Sequence, residues 1–278
     1  MLFYTLNAIR HPLKRGFMRI LFIGDIVGEP GRRAVKELVP KITKKEDIDF
    51  VVANGENVAG GSGVTPALAD ELLNSGIDVI TAGDHIWKRK EILDYIGSSQ
   101  RLLRPANYPK NTPGFGSTVV KSASDVEVGV INLMGRVFMQ PVECPFRVVK
   151  EEIERLKNKT RIIIIDMHAE ATSEKIALGW YLDGLVSAIV GTHTHVQTAD
   201  EKILPLGTAF ISDAGMTGPF DSVIGRKKEQ ILSRFLTQMP VKFEMAEGDV
   251  QLHGVIIDID EKTGKAESIK RIQEKLGK

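Results

Sequence analysis

Six histidines occur in 278 residues, and two of them, His193 and His195, flank a single threonine in the stretch GTHTHV, directly after the apolar run Leu185–Val190. In extended backbone, side chains two apart point to the same face, so both imidazoles would look to one side. Neutral imidazole is the commonest protein ligand for transition metals. Four more short apolar runs end in groups able to hold a metal: Asp25 after RILFIG, Glu56 and Asn57 after DFVVANG, Asp84 and His85 after IDVITAG, and His168 closing TRIIIIDMH. Singly, each has an ordinary explanation. An aspartate after a strand shapes a turn or caps a helix, Glu56–Asn57 can shape a glycine-rich loop, and His168 can be a satisfied core histidine. Together they point elsewhere, because only His11 and His253 fall outside the series.

The elements that must position these residues alternate in type. RILFIGD, DFVVANGEN, IDVITAGDH, TRIIIIDMH and LVSAIVGTHTH read as buried strands; GRRAVKELVPKITKK (interrupted or ended near Pro40), TPALADELLNSG (Thr65 as N-cap, Pro66 at N1), KRKEILDYIG and VVKEEIERLKNK read as helices. This alternation implies an α/β fold with a largely parallel sheet covered on both faces. GSTVVKSASDVEVGVINLMG reads as an antiparallel hairpin, and the tail as two strands about the turn Glu261–Gly264. Ligands of open α/β sheets bind beyond the carboxyl ends of the strands, so residues far apart in sequence should converge on one edge. Histidine, carboxylate and amide oxygen without thiolate suit iron, manganese or zinc. Seven candidates (Asp25, Glu56, Asn57, Asp84, His168, His193 and His195) exceed the needs of one ion. They suit two ions sharing a carboxylate, with one imidazole of GTHTH given to each. Such a pair, about 3.5–4 Å apart, clamps the attacking and leaving oxygens of phosphoryl displacement.

The composition bounds the rest. With 42% apolar and 26% charged residues and a net charge of +1, the chain is that of an ordinary globular protein and shows no basic patch for nucleic acid. Cys144 is the single cysteine, which excludes an intramolecular disulfide and a thiolate cluster and fits a reducing, cytoplasmic setting. No window offers the roughly 20 apolar residues of a membrane span. Residues 1–17 carry no acidic group, and their apolar part precedes their charges, the reverse of a secretory signal. They are expected to be an extension, disordered or from an upstream start, before a single domain over 18–278. Assembly into a homo-oligomer is left open.

The motifs GDIVG, GENVAGG, GDHIW, DMHAEATSEK and GTHTHVQTAD resemble those of the calcineurin-like metallophosphoesterases. Val27 in place of the first motif's histidine and Glu56–Asn57 in place of an aspartate resemble one bacterial branch, the YmdB-like family of 2′,3′-cyclic-nucleotide 2′-phosphodiesterases. The resemblance runs from Met18 nearly to the C-terminus and includes ISDAGMTGPFDSVIGRKKEQILSRFLT. It implies a metallophosphoesterase-type α/β sandwich, with mixed sheets flanked by helices. It further implies a phosphodiesterase acting on cyclic nucleotides or other small phosphodiesters through metal-activated hydroxide. Asp25, Glu56, Asn57 and His195 would hold the first ion, and Glu56 would bridge to a second on Asp84, His168 and His193. His85 would be the proton donor to the leaving oxygen, and Fe or Mn the metal. One position departs from that pattern: Asp84 stands where the family has Asn, which admits a weakly active regulatory protein as an alternative. A nucleotidase or phosphomonoesterase on the same scaffold is the other. Arg104, Asn107, Arg136 and Phe138 are candidates to line the substrate pocket.

Overall fold

A computed structural model describes residues 16–277. In chain order the first half contains β1 (Phe17–Ile23), β2 (Asp25–Ile26), α1 (Gly28–Glu46), β3 (Phe50–Asn54), α2 (Pro66–Asn74), β4 (Val79–Thr81) and α3 (Ile92–Ile96). There follow β5 (Ser117–Lys121), β6 (Glu127–Met134), α4 (Pro145–Leu156), β7 (Ile162–His168), α5 (Thr172–Tyr181), β8 (Ala188–Thr192), β9 (Lys202–Ile203), β10 (Ala209–Ile211), β11 (Met216–Pro219), α6 (Lys228–Thr237), β12 (Val250–Asp260) and β13 (Ala266–Lys275). Expectations for residues 1–15 lie outside the described residues. Phe17 already belongs to the first strand, paired with Asp260.

The strands form two mixed sheets, as the resemblance implies, rather than the one largely parallel sheet that the strand–helix alternation alone suggests. The first runs β2-β11-β12-β1-β3-β4 with β13 on β12, the second β5-β6-β7-β8-β10-β9. The parallel pairs β1·β3, β3·β4, β6·β7 and β7·β8 are the ones read from the strand–helix alternation. The hairpins β5·β6 and β12·β13 make the sheets mixed.

Alternation along buried strands explains the layering. Met18, Ile20 and Phe22 of β1 meet Ile162 and Ile164 of β7 and Ala188 and Val190 of β8 in a core between the two sheets. Leu21 and Ile23 face the other way, under Ala34, Val35 and Leu38 of α1. Ile163, Ile165 and Met167 likewise face Val149 and Ile153 of α4 and Leu178 of α5. The result is a four-layer α/β/β/α sandwich in which central strands such as β1 and β7 are apolar on both faces. Fully burying each such side chain contributes about 1.5–3 kcal/mol.

Two helices differ from expectation. Helix α1 is not broken at Pro40 but runs on to Glu46 and ends where Asp47 turns left-handed. An interior proline costs about 3 kcal/mol, and the buried stripe Leu38, Val39 and Ile42 outweighs it. KRKEILDYIG gives only the five residues of α3, after a tight 3-10 turn at Ile86–Lys88. Among the described residues no helix is long and apolar enough to cross a membrane.

Candidate active site

The parallel strands of both sheets end at the same edge of the sandwich, and all eight predicted site residues meet there. Asp25 follows β1, Glu56–Asn57 follow β3, Asp84–His85 follow β4, His168 ends β7, and His193 and His195 follow β8. Asp25, Glu56 and His168 are buried. His85 is 31% exposed and Asp84 28%, as the rim of a site open to solvent must be.

Around His168 the groups are nearly all acceptors. Its Nε2 lies 3.3 Å from Glu56 Oε1, 3.4 Å from Asp84 Oδ1 and 3.0 Å from His193 Nδ1. Glu56, Asp84, His168 and His193 bring ligand atoms within 4.8 Å of one another. Beside them, Asp25 Oδ1 lies 3.8 Å from His195 Nε2, and Asn57 Nδ2 lies 3.3 Å from the same nitrogen and 3.2 Å from Glu56 Oε1. Glu56 is thus common to both groups. Asp25 Oδ1 and Asp84 Oδ1 are buried and accept no hydrogen bond. A buried carboxylate oxygen without a donor is costly, and one such oxygen in each group, aimed at imidazole nitrogens, fits a cation at each place. Electrostatics agree. Burial opposes ionisation of Glu56, yet His168 and His85 hold it well below the usual carboxylate range, and Glu56 and Asp84 draw His168 well above an ordinary imidazole despite its burial.

The far ring nitrogens are held from behind. His168 Nδ1 lies 2.9 Å from Thr192 Oγ1, which donates at 2.6 Å to Asp166 Oδ1. Thr192 must therefore accept from Nδ1–H, which leaves the Nε2 lone pair of the neutral ring facing the centre. Asp166, raised by burial to about 6, also accepts from Thr81 and Asn54. His193 Nε2 meets Glu170 Oε2 at 3.1 Å, so its Nδ1 faces inward, and His195 Nδ1 donates to Ile224 O at 3.2 Å, so its Nε2 does. The sequence reading missed Glu170, Asp166 and Thr192. The first two stand two residues on either side of His168, and Thr192 stands inside GTHTH, the only signal available.

One expectation needs correction. The backbone past Thr192 is not extended: His193 has φ 101° and His195 φ 63°. Both are left-handed values that cost a non-glycine residue of order 1–3 kcal/mol. The histidines therefore face one centre because the chain turns, not because strand alternation continues. Asn57 directs its amide nitrogen toward His195 and Glu56, while its oxygen sits 2.7 Å from His85 Nδ1; ligation by that oxygen requires the amide to turn over. Of the pocket candidates, Arg104 is buried and spends its guanidinium on the carbonyls of Pro105, Thr112 and Pro113. Asn107 ties Met134 to Glu143. Arg136 and Phe138 occupy a loop that leaves β6 beside His168, with Gly135 N–H bonded to His168 O, and Phe138 is 90% exposed.

The comparisons with known proteins agree with this picture. The chain is 55% identical over 255 residues to a 2′,3′-cyclic-nucleotide 2′-phosphodiesterase of Bacillus subtilis, covering 92% of this chain and 96% of that one. The crystal structure of a hypothetical protein from Thermus thermophilus superposes with a TM-score of 0.87 at 40% identity, over 94% of this chain and 100% of the other. That of a Mycoplasma pneumoniae phosphatase does so with 0.87 at 36%, over 93% and 94%. The fold is of the metallophosphoesterase type. A family model described as YmdB-like protein matches residues 21–272, and with that span and those identities the chain belongs to the YmdB-like family.

Proposed function

We propose that this protein is a phosphoester hydrolase with two metal ions that cleaves cyclic nucleotides or other small phosphodiesters. The observation that carries the reading is the convergence of donor-free oxygens and imidazole lone pairs in two adjoining groups that share Glu56. The name of the Bacillus relative supports the substrate class. Asp25, Asn57 and His195 would hold one ion, Asp84, His168 and His193 the other, and Glu56 both; iron or manganese suits this donor set. When bound, the ions supply Lewis acidity and positive charge for the phosphoryl group.

His85 does the remaining chemistry. Its Nδ1 lies 3.4 Å from Glu56 Oε1, which leaves Nε2 as the atom that hands a proton to the departing oxygen. The hydrogen bond to Glu56 raises the ring above its ordinary value, outweighing burial, which favours the protonated ring that a general acid requires. For a cyclic diester, a water oxygen forms a bond to phosphorus and gives up one proton to solvent, the bond from phosphorus to one ring oxygen breaks, that oxygen takes the proton from Nε2, and a phosphomonoester remains.

Elemental analysis of protein reconstituted with Mn²⁺ or Fe²⁺ should find close to two ions per chain, together with hydrolysis of 2′,3′-cyclic nucleotides. His85→Ala should keep the metal and lower kcat about 10²–10⁴-fold. One ion or fewer, with no activity gained on reconstitution, rejects the reading. The carboxylate of Asp84 favours a second one, a slow enzyme that serves by binding, and an aryl monophosphate assay alongside separates monoesterase activity from both.

A further inference from the structure

Thr194, the residue between the two histidines, is gripped by groups that the proposed reaction does not use. Asp213, 1% exposed beyond the end of β10, accepts at Oδ2 from Thr194 N–H at 3.0 Å, Thr194 Oγ1–H at 2.7 Å and Lys175 Nζ at 2.9 Å. Its Oδ1 accepts from Gly215 N–H at 2.8 Å. Lys175 is 0% exposed. It comes from α5 on the outside of the second sheet and passes Gly191, where an added Cβ would lie 2.9 Å from Lys175 Cδ and 1.8 Å from Ser212 O. The glycine that opens GTHTH is thus the gap through which the lysine reaches the loop.

A fully buried lysine is rare unless paired, and a buried ion pair is weak evidence for stability, since apolar residues of similar volume commonly serve as well. This pair acts on a particular place. Both of its neighbours through Thr194 carry left-handed backbone, φ 101° at His193 and φ 63° at His195. A left-handed non-glycine conformation persists only where surrounding bonds over-determine it, and Asp213 holds Thr194 by both its amide and its hydroxyl.

We propose that Lys175 and Asp213 are positioning residues: a buried clamp that, through Thr194, keeps His193 and His195 turned toward a common centre and so sets the affinity of that centre for metal. The proposal rests on the metal reading above. A pair that only filled space under the sheets would affect stability and leave metal affinity alone.

Calorimetric titration of metal-free protein with Mn²⁺ separates the two, with circular dichroism and melting temperature as controls for folding. Thr194→Val, which deletes one bond to Asp213, and the double variant Lys175→Met/Asp213→Leu, which removes the pair without stranding a charge, should both fold and bind Mn²⁺ about 10–100-fold more weakly, the usual effect of losing a ligand's support. Thr194→Ser should restore wild-type affinity. Wild-type affinity in folded Thr194→Val and in the folded double variant overturns the clamp while the metal reading stands. A wild-type chain that binds no Mn²⁺ overturns both.

Discussion

Asp84 is where the chemistry of one side chain matters most. Its Oδ1 faces His168 and His193 without a hydrogen bond, while Oδ2 lies 3.7 Å from His85 Nε2. One carboxylate thus serves both the candidate metal site and the proton donor. Together with Asp25 and Glu56 it makes three formal negative charges; the amide in Asp84→Asn leaves two. Affinity for Mn²⁺ should fall, while an anionic diester should be less repelled. An amide can also donate to a phosphate oxygen, which a carboxylate cannot, and one such donor in a water-poor site is worth about 2.7–4 kcal/mol. Asp84→Asn should therefore raise kcat/KM for phosphodiesters. Losing the Asp84 charge also makes His85 easier to deprotonate, so the alkaline limb of the rate profile should move to lower pH. Parallel pH–rate profiles and metal titrations test this. A native enzyme that is faster throughout refutes the charge argument.

Among the elements, the strand ends decide whether the site can assemble. Between β4 and Asp84 the chain passes close under the cluster: a Cβ built on Gly83 would lie 2.1 Å from His168 Cδ2, 2.2 Å from its Nε2 and 2.5 Å from Glu56 Oε2. Only glycine lets β4 end so near β7. Gly83→Ala should displace His168 or Glu56 and abolish Mn²⁺ binding. The fold should survive, because Val79, Ile80 and their core neighbours are untouched. Titration calorimetry with a circular dichroism control checks this, and full metal affinity in the variant would show that the loop yields cheaply.

Across the whole molecule, His253 couples stability to pH. It sits on β12, which pairs with β1, β11 and β13 in the first sheet. The ring stacks on Phe220 at 4.2 Å and leaves Nδ1 without a partner. Burial lowers its pKa to about 4 from the ordinary 6.5. Between those values the unfolded chain binds the proton and the folded one does not, so stability falls as pH drops from about 6.5 toward 4 and is unaffected above. Asp166, raised by burial to about 6, acts in the opposite sense, because its folded form takes up the proton first. His253→Gln cannot titrate and should flatten the acid loss. Urea midpoints of both proteins at pH 7 and 4.5 check this, and equal losses in the two would remove His253 as the cause.

What the sequence determined by itself was the five strands that carry the site, the polar group at the end of each, and hence the edge where the site lies. The continuous apolar runs of β1 and β7 and the histidine count carry that information locally. Both hairpins were legible, but the sequence did not determine that β12 pairs antiparallel with β1 and β11, because such pairing depends on long-range contacts. Nor did it show that Pro40 stays helical, since propensity there yields to packing against the first sheet. The conformation of GTHTH was equally out of reach: strand periodicity predicts extended backbone, whereas buried Asp213 and Lys175, held by tertiary contacts 19 residues apart from Thr194 on either side, hold left-handed turns in place. Residue types told which atoms could bind a metal; only the folded chain, by fixing Thr192, Glu170 and Ile224 behind the three rings, decided which nitrogen of each histidine faces the centre.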